Sequence, residues 1–104
     1  MQEKRQSKRY KAVDGLNATI SAEDSDLSTE GTVLNISKAG AYVLADSIPF
    51  QAGQIIFQPQ NGSVIQRGCR RIDPHDAKAR GMAVAFTGML SNEELNSLKA
   101  PIPE

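Results

Sequence analysis

Two groups of residues in this 104-residue sequence have the types and spacing to bind an anionic ligand. The first group is Arg5 and Arg9, two arginines four residues apart near the N-terminus. A guanidinium group forms paired, charge-assisted hydrogen bonds with phosphate oxygens, and it also stacks on planar groups. Lysine offers only a point charge, so Lys8, which lies between the two arginines, is a secondary candidate.

The second group lies in the segment Asn35-Ile36-Ser37-Lys38-Ala39-Gly40, where a predicted strand ends in a polar turn. The Asn35 amide and the Ser37 hydroxyl can donate hydrogen bonds to a ligand. Gly40 leaves room for a ligand to approach the backbone, and Lys38 is a secondary candidate. The same pattern is typical of a hairpin turn, in which Asn35 and Ser37 bond local backbone and Gly40 adopts a positive φ.

The charge distribution also directs attention to the N-terminus. The sequence has 12 basic and 12 acidic residues, but residues 1–11 carry five basic residues against one acidic residue. Residues 12–50, in contrast, carry six acidic residues against one lysine. A basic segment on a neutral body suggests that a short stretch binds an anion, rather than a whole basic face. A solvated N-terminal tail is the alternative interpretation.

Few residues in the sequence are suited to catalysis or metal binding. The one cysteine, Cys69, and the one histidine, His75, exclude an internal disulfide and a Cys/His zinc cluster. Cys69 lies in a predicted strand, where a free cysteine is usually buried, and His75 lies in Asp73-Pro74-His75-Asp76, which is typical of a surface turn. No glycine-rich phosphate loop is present. The sequence therefore predicts a binding protein without enzymatic activity, cofactor or metal.

The length and the apolar content, 39%, fit one small domain with its own core. No apolar run is long enough to cross a membrane, and the charged N-terminus lacks the apolar stretch of a signal peptide. We therefore expect a cytoplasmic protein.

Short strands separated by turn residues account for most of the sequence. Apolar alternation and β-branched residues predict six strands, at Leu16–Ala22, Thr32–Ile36, Ala41–Ala45, Gln54–Gln58, Val64–Ile72 and Met82–Phe86. The acidic residues 23–31 are predicted to form a loop, and Asn61-Gly62 predicts a hairpin. Six short strands without a helix between them predict an all-β fold, a six-stranded antiparallel β-barrel whose closure removes exposed edges.

One helix is predicted near the C-terminus. Ser91 can cap it and Glu94 completes a capping box, while Leu95 and Leu98 share a face that can cover the barrel. The chain then divides into a flexible basic N-terminal arm (1–12), the barrel (13–88) and the C-terminal α-helix with its tail (89–104).

In their order along the chain, the two motifs resemble those of the PilZ domain, a small bacterial β-barrel that binds cyclic di-GMP. That family carries R-x-x-x-R on an N-terminal segment, which Arg5 and Arg9 match, and [D/N]-x-S-x-x-G on an early strand, which Asn35, Ser37 and Gly40 match. A closing strand reading Gly-Met-Ala-Val-Ala-Phe, followed by a helix, is a further similarity. The resemblance runs from residue 5 to about residue 99. Asn35 stands where many members have aspartate, so a neutral group that can also donate replaces a charged acceptor.

The resemblance implies a cyclic di-GMP receptor or adaptor that has no catalytic activity. The arm would become ordered over the ligand and signal to a protein partner, with no membrane or nucleic-acid polymer involved. The ligand-binding residues implied are Arg5, Arg9, Asn35, Ser37 and Gly40, with Lys8, Lys38 and Arg71 as secondary candidates.

Two other functions stay open. A PilZ-like domain could bind only protein, in a motility or pilus assembly, although retention of both arginines argues against this. A small barrel could also bind nucleic acid through its basic segment, but such proteins interleave aromatic with basic residues, and only Tyr10 lies among these arginines. Period-2 spacing puts Arg71 and Arg70 on opposite strand faces, so they cannot both face one ligand.

Overall fold

A computed structural model describes residues 9–46, 48, 50–60, 62–72 and 81–100. Within these residues the chain forms seven strands and one helix. In chain order they are β1 (Tyr10–Lys11), β2 (Asn17–Ala22), β3 (Ser28–Ile36), β4 (Gly40–Leu44), β5 (Ala52–Gln58), β6 (Ile65–Arg71), β7 (Gly81–Phe86) and α1 (Asn92–Leu98).

Six of the strands close into an antiparallel barrel, as the sequence predicts. The strands follow one another in the order β3, β2, β5, β6, β7 and β4, and β4 pairs with β3 to complete the circle. The predicted hairpin is present as the antiparallel pair of β5 and β6, with residues 59–64 between the strands. β1 is an extra strand that pairs with β3.

The predicted loop at residues 23–31 is shorter in the structure, because residues 28–31 belong to strand β3. β3 begins at Ser28 and has nine residues, of which the first five pair with β2. Ser28, Glu30 and Thr32 are exposed, since this part of β3 turns its polar side chains to solvent. A strand of this kind is defined by backbone pairing rather than by apolar alternation, so its composition reads as a loop.

The expected boundary of the N-terminal arm also differs from the structure. Tyr10 and Lys11 are hydrogen-bonded to β3, and Ala12 is buried with only 3% of its surface exposed. The chain is therefore part of the folded domain from residue 10 onward, not from residue 13. The remainder of the expected arm, residues 1–8, lies outside the described residues.

The core is built from the alternating side chains that the strand patterns predict. Met82 and Val84 on β7 point inward, as do Ile55 and Phe57 on β5, and all are essentially fully buried. The intervening residues of each strand face outward, which leaves one side of every strand for the barrel surface. The outward-facing residues therefore do not have to be apolar or to fit the packing of the core.

The C-terminal helix is confirmed together with its capping box. The Ser91 hydroxyl accepts from the Glu94 N–H, and the Glu94 carboxylate accepts from the Ser91 N–H and from Arg67 of β6. The Ser91 N–H, and to a lesser degree Arg67, lower the pKa of Glu94 against an opposing effect of desolvation. Leu95 and Leu98 are buried in the core. Across the described ranges, no helix has the length and apolarity that crossing a membrane requires.

Cys69 of β6 belongs to the core, opposite Gly53 and Phe86. Its side chain is buried, and desolvation raises the pKa of the thiol from the ordinary value of 9.0 to about 11. A thiol that resists ionisation is a poor nucleophile at neutral pH. Cys69 therefore acts as a small apolar residue.

This burial predicts a loss of stability in alkaline solution. The native thiol keeps a proton that the thiol of the unfolded chain releases. The contribution of the Cys69 thiol to the free energy of unfolding is therefore fully present below pH 9 and is lost as the pH rises toward about 11. Urea unfolding of the natural protein and of Cys69→Ala across this range should show the steeper decline in the natural protein. Parallel pH profiles for the two proteins would contradict the prediction.

Candidate functional site

The pairing of β1 with β3 determines where Arg9 lies. The pair is antiparallel, with Lys11 opposite Asn35. Continuing this register puts Arg9 opposite Ser37, at the point where β3 ends and the turn begins. Arg9, the one arginine of the first motif that the structure describes, is therefore a neighbour of the second motif in the fold.

The residues after α1 hold β1 from its other edge. Ala12 and Lys99 form an antiparallel bridge, and the Ala100 N–H donates to the Lys11 carbonyl at 2.8 Å. The Lys99 ammonium group lies 4.3 Å from the centre of the Tyr10 ring, within the range of a cation–π contact. Both edges of β1 are thus bonded, which fixes the chain immediately after Arg9.

Arg9, Asn35, Ser37 and Gly40 line one cavity on the outer face of the barrel. Its volume is about 220 Å³. Enclosed sites for small molecules usually measure roughly 300–1,000 Å³, so this cavity is a shallow depression. A ligand of dinucleotide size would therefore rest against the barrel wall, with part of its surface left for another segment to cover.

Ser37 has its hydrogen-bonding capacity taken up by the turn. Its hydroxyl accepts from the N–H groups of Ala39 and Gly40, at 3.2 and 3.1 Å, and donates to the Gly40 carbonyl at 3.3 Å. With 8% exposure, Ser37 is the one buried polar side chain among the described residues. The expectation that this hydroxyl donates to a ligand is not what the geometry favours, since its single proton already has an acceptor.

Gly40 is needed for a reason that differs from both sequence-based interpretations. Its φ is not positive, because Gly15 and Gly62 are the glycines with positive φ among the described residues. A Cβ at Gly40 would instead collide with the carbonyl oxygen of Val84 on the neighbouring strand β7. Because Gly40 has no side chain, β4 and β7 can lie close together there. Residues of both strands line the cavity at this position.

Asn35 and Arg9 have side chains that the fold itself does not use. Asn35 is half-buried in the cavity, and its amide makes no hydrogen bond to any described residue. Arg9 is exposed, and its guanidinium group likewise has no partner within the described chain. These two residues offer the cavity an amide and a positive charge that are available to a ligand.

The secondary candidates are placed differently. Lys38 is half-buried in the turn but does not line the cavity. Arg71 is directed elsewhere: its guanidinium group donates to the Ile48 carbonyl at 2.8 Å and lies 6.0 Å from the centre of the Phe50 ring. Arg71 does not line the cavity, so its role as a secondary ligand residue stays a prediction. Arg5 and Lys8 lie outside the described residues.

Several residues of the cavity wall were missed by the sequence reasoning. Tyr42, Ile72, Ala83 and Ala85 also line the depression. Tyr42 follows Gly40 by two positions, so alternation could have assigned it to the same face. Ala83 and Ala85 lie on the neighbouring strand β7, and Ile72 is hydrogen-bonded to β7 from its other side. These residues reach the cavity because β7 pairs with β4, where Ala83 lies opposite Tyr42.

A second depression, of about 520 Å³, lies on another part of the wall and is lined by Arg70, Glu23 and Thr87 among others. None of the predicted ligand residues that the structure describes borders it. Within the described ranges, no three histidine, cysteine, aspartate or glutamate side chains are grouped to hold a metal ion. The turn that contains His75 lies outside those ranges.

No protein-family model matches the sequence, and no curated protein matches it. The chemistry of the cavity is therefore inferred from its own residues.

The hydrogen bonds of Ser37 predict that Ser37→Ala destabilises the fold. The substitution removes the acceptor of two backbone N–H groups, so the free energy of unfolding should fall by roughly 1–3 kcal/mol. Urea denaturation measures this value, and Ser63→Ala, at an exposed position in the β5–β6 loop, is the control. A Ser37→Ala protein as stable as the control would show that the turn does not need the hydroxyl.

Proposed function

We propose that this protein is a cyclic di-GMP receptor of the PilZ type that acts without catalysis. One observation carries the proposal: Arg9 and the Asn35–Gly40 turn line one cavity, although they are remote in the sequence. The resemblance of both motifs to PilZ motifs supports it, and so does the antiparallel barrel that carries the second motif. As a receptor for a second messenger, the protein would act in the cytoplasm.

The residue types suit the chemistry of this ligand. Cyclic di-GMP presents two phosphates and two guanine bases. The Arg9 guanidinium group can bind phosphate oxygens, or the O6 and N7 atoms of guanine, with two parallel hydrogen bonds. The Asn35 amide, free of other partners among the described residues, can donate to and accept from a base edge.

Arg5 is proposed as the second guanidinium contact. It precedes Arg9 by four residues in the matching motif, and two arginines would meet the two negative charges of the ligand. The signal to a protein partner would arise when binding fixes the segment that contains Arg5.

The folded position of β1 lowers the free-energy cost of this binding. Ordering a residue costs about 1–2 kcal/mol, and Tyr10, Lys11 and Ala12 are already fixed by the sheet. Each charge-assisted hydrogen bond contributes roughly 1.5–3 kcal/mol, so several bonds can offset the ordering of the residues that precede Arg9. A micromolar dissociation constant, about −8 kcal/mol, is the expected affinity.

The direct test is titration calorimetry with cyclic di-GMP at physiological salt, with GTP and cyclic di-AMP as competing ligands. We expect Arg9→Ala, and Arg5→Ala, to weaken binding by roughly 2–3 kcal/mol, or about 30–150-fold, because a charge-assisted hydrogen bond is lost. Arg9→Lys should recover only part of the loss, since lysine keeps the charge but not the paired geometry.

Arg70→Ala is the matched control, because Arg70 is an exposed arginine that does not line this cavity. It should bind like the natural protein. Equal affinities for Arg9→Ala and the natural protein would reject the role of Arg9. If the natural protein binds no cyclic di-GMP, the receptor proposal fails and a module that binds only protein becomes the better explanation.

A further inference from the structure

Tyr42 places an aromatic ring on the wall of the cavity. It lies on β4 between two neighbours, Asn35 on β3 and Ala83 on β7, and all three face outward. The side chain is half-buried and lines the cavity. Its hydroxyl makes no hydrogen bond to any described residue, so the ring is not held there by a polar contact.

Gly81 explains how the ring comes to lie against the barrel. A Cβ at Gly81 would stand 2.5 Å from Cζ of Tyr42 and 2.9 Å from Cε2, closer than real atoms approach. Because glycine has no Cβ, the end of the ring rests directly on the backbone of β7. Gly81 is buried, while Tyr42 itself is only half-buried, so part of its side chain is accessible.

The surroundings of the ring suit a flat ligand. The residues of β7 that face outward into the cavity, Ala83 and Ala85, are small, while Val84 between them is buried in the core. Asn35 lies opposite Tyr42 on β3, and both residues line the cavity. A flat aromatic group lying on Tyr42 would have its edge within the region of the Asn35 amide.

We propose that Tyr42 is the surface on which one guanine base of the ligand stacks, with Asn35 at the edge of that base. The inference rests on the proposed function and adds to it the residue that binds the base. Stacking needs a flat, polarisable ring and no charge, so it complements the contact of Arg9 with phosphate. Stacking accepts any base, which leaves discrimination between bases to the hydrogen-bonding groups of Asn35 and Arg9.

Two substitutions at position 42 separate the ring from its hydroxyl. Because phenylalanine keeps the stacking surface, Tyr42→Phe should bind cyclic di-GMP within about twofold of the natural protein. Tyr42→Leu removes the aromatic face but keeps an apolar side chain on the strand, and its dissociation constant should rise roughly 5–30-fold. Since no charge is lost, the salt dependence of binding should be unchanged in Tyr42→Leu and reduced in Arg9→Ala.

Gly81→Ala tests the position of the ring without altering Tyr42. The added Cβ meets the far end of a side chain that can move, so the fold should persist while the ring is displaced. Binding should weaken in the same direction as in Tyr42→Leu. In the Tyr42→Leu background, Gly81→Ala should have little further effect, because the ring that it displaces is already gone.

Fluorescence gives an independent measurement, since the sequence has no tryptophan and two tyrosines, Tyr10 and Tyr42. In Tyr10→Phe the emission comes from Tyr42 alone, and a guanine stacked on the ring should quench it on titration with cyclic di-GMP. In Tyr42→Phe the remaining emission of Tyr10 should change much less. Absorption by the nucleotide is corrected with free tyrosine at the same ligand concentrations.

The outcomes separate this inference from the receptor proposal. Calorimetric binding by the natural protein, together with unchanged affinity in Tyr42→Leu or unquenched emission of Tyr42, overturns the stacking role and leaves the receptor intact. Equal losses in Tyr42→Phe and Tyr42→Leu also overturn it, because they would assign the contact to the hydroxyl. Absence of binding by the natural protein overturns both.

Discussion

The site depends on the antiparallel pairing of β1 with the end of β3. Only two residues form β1, so this pairing supplies few hydrogen bonds and would be weak alone. The bridge between Ala12 and Lys99 and the contact of Lys99 with Tyr10 hold the second edge. The position of Arg9 is therefore tied to the C-terminal end of α1 as well as to the barrel. Loss of the pairing on either side of β1 would therefore change the position of the Arg9 guanidinium group.

The residues of the second motif divide into two physical roles. Ser37 and Gly40 form the turn and the close approach of β4 to β7, and the fold already uses their hydrogen bonds and their missing side chain. Asn35 and Arg9 make no such contribution among the described residues, so their groups remain for a ligand. In the proposed site, Ser37 and Gly40 would therefore shape the wall of the cavity, while Asn35 and Arg9 would supply the contacts with the ligand.

Alternation and capping signals predicted the barrel and the helix, because each is local in the sequence. Period-2 patterns located six strands, and Ser91 with Glu94 located the helix start. β1 could not be found this way, since two residues have no period. The surroundings of Arg71 depend on strand order, which alternation along one strand does not give, so its hydrogen bond to the Ile48 carbonyl required the structure. That the two motifs share a site was predicted from resemblance alone; the position of Arg9 beside the second motif, and its physical cause in the register of β1, required the structure.

Closure of the barrel explains why a site of this kind lies on the outer wall. The interior is filled by side chains such as Phe57, Ile20 and Met82, which leaves no room for a ligand. An outer wall exposes a ligand to water, where a charge contact is screened and contributes little by itself. Such a site gains affinity when the charge is combined with a contact that does not depend on charge. Tyr42 and Arg9 line the same cavity, so in the proposed complex an apolar ring would act beside a charge, and the backbone at Gly81 and the pairing of β1 would limit the cost of positioning the two.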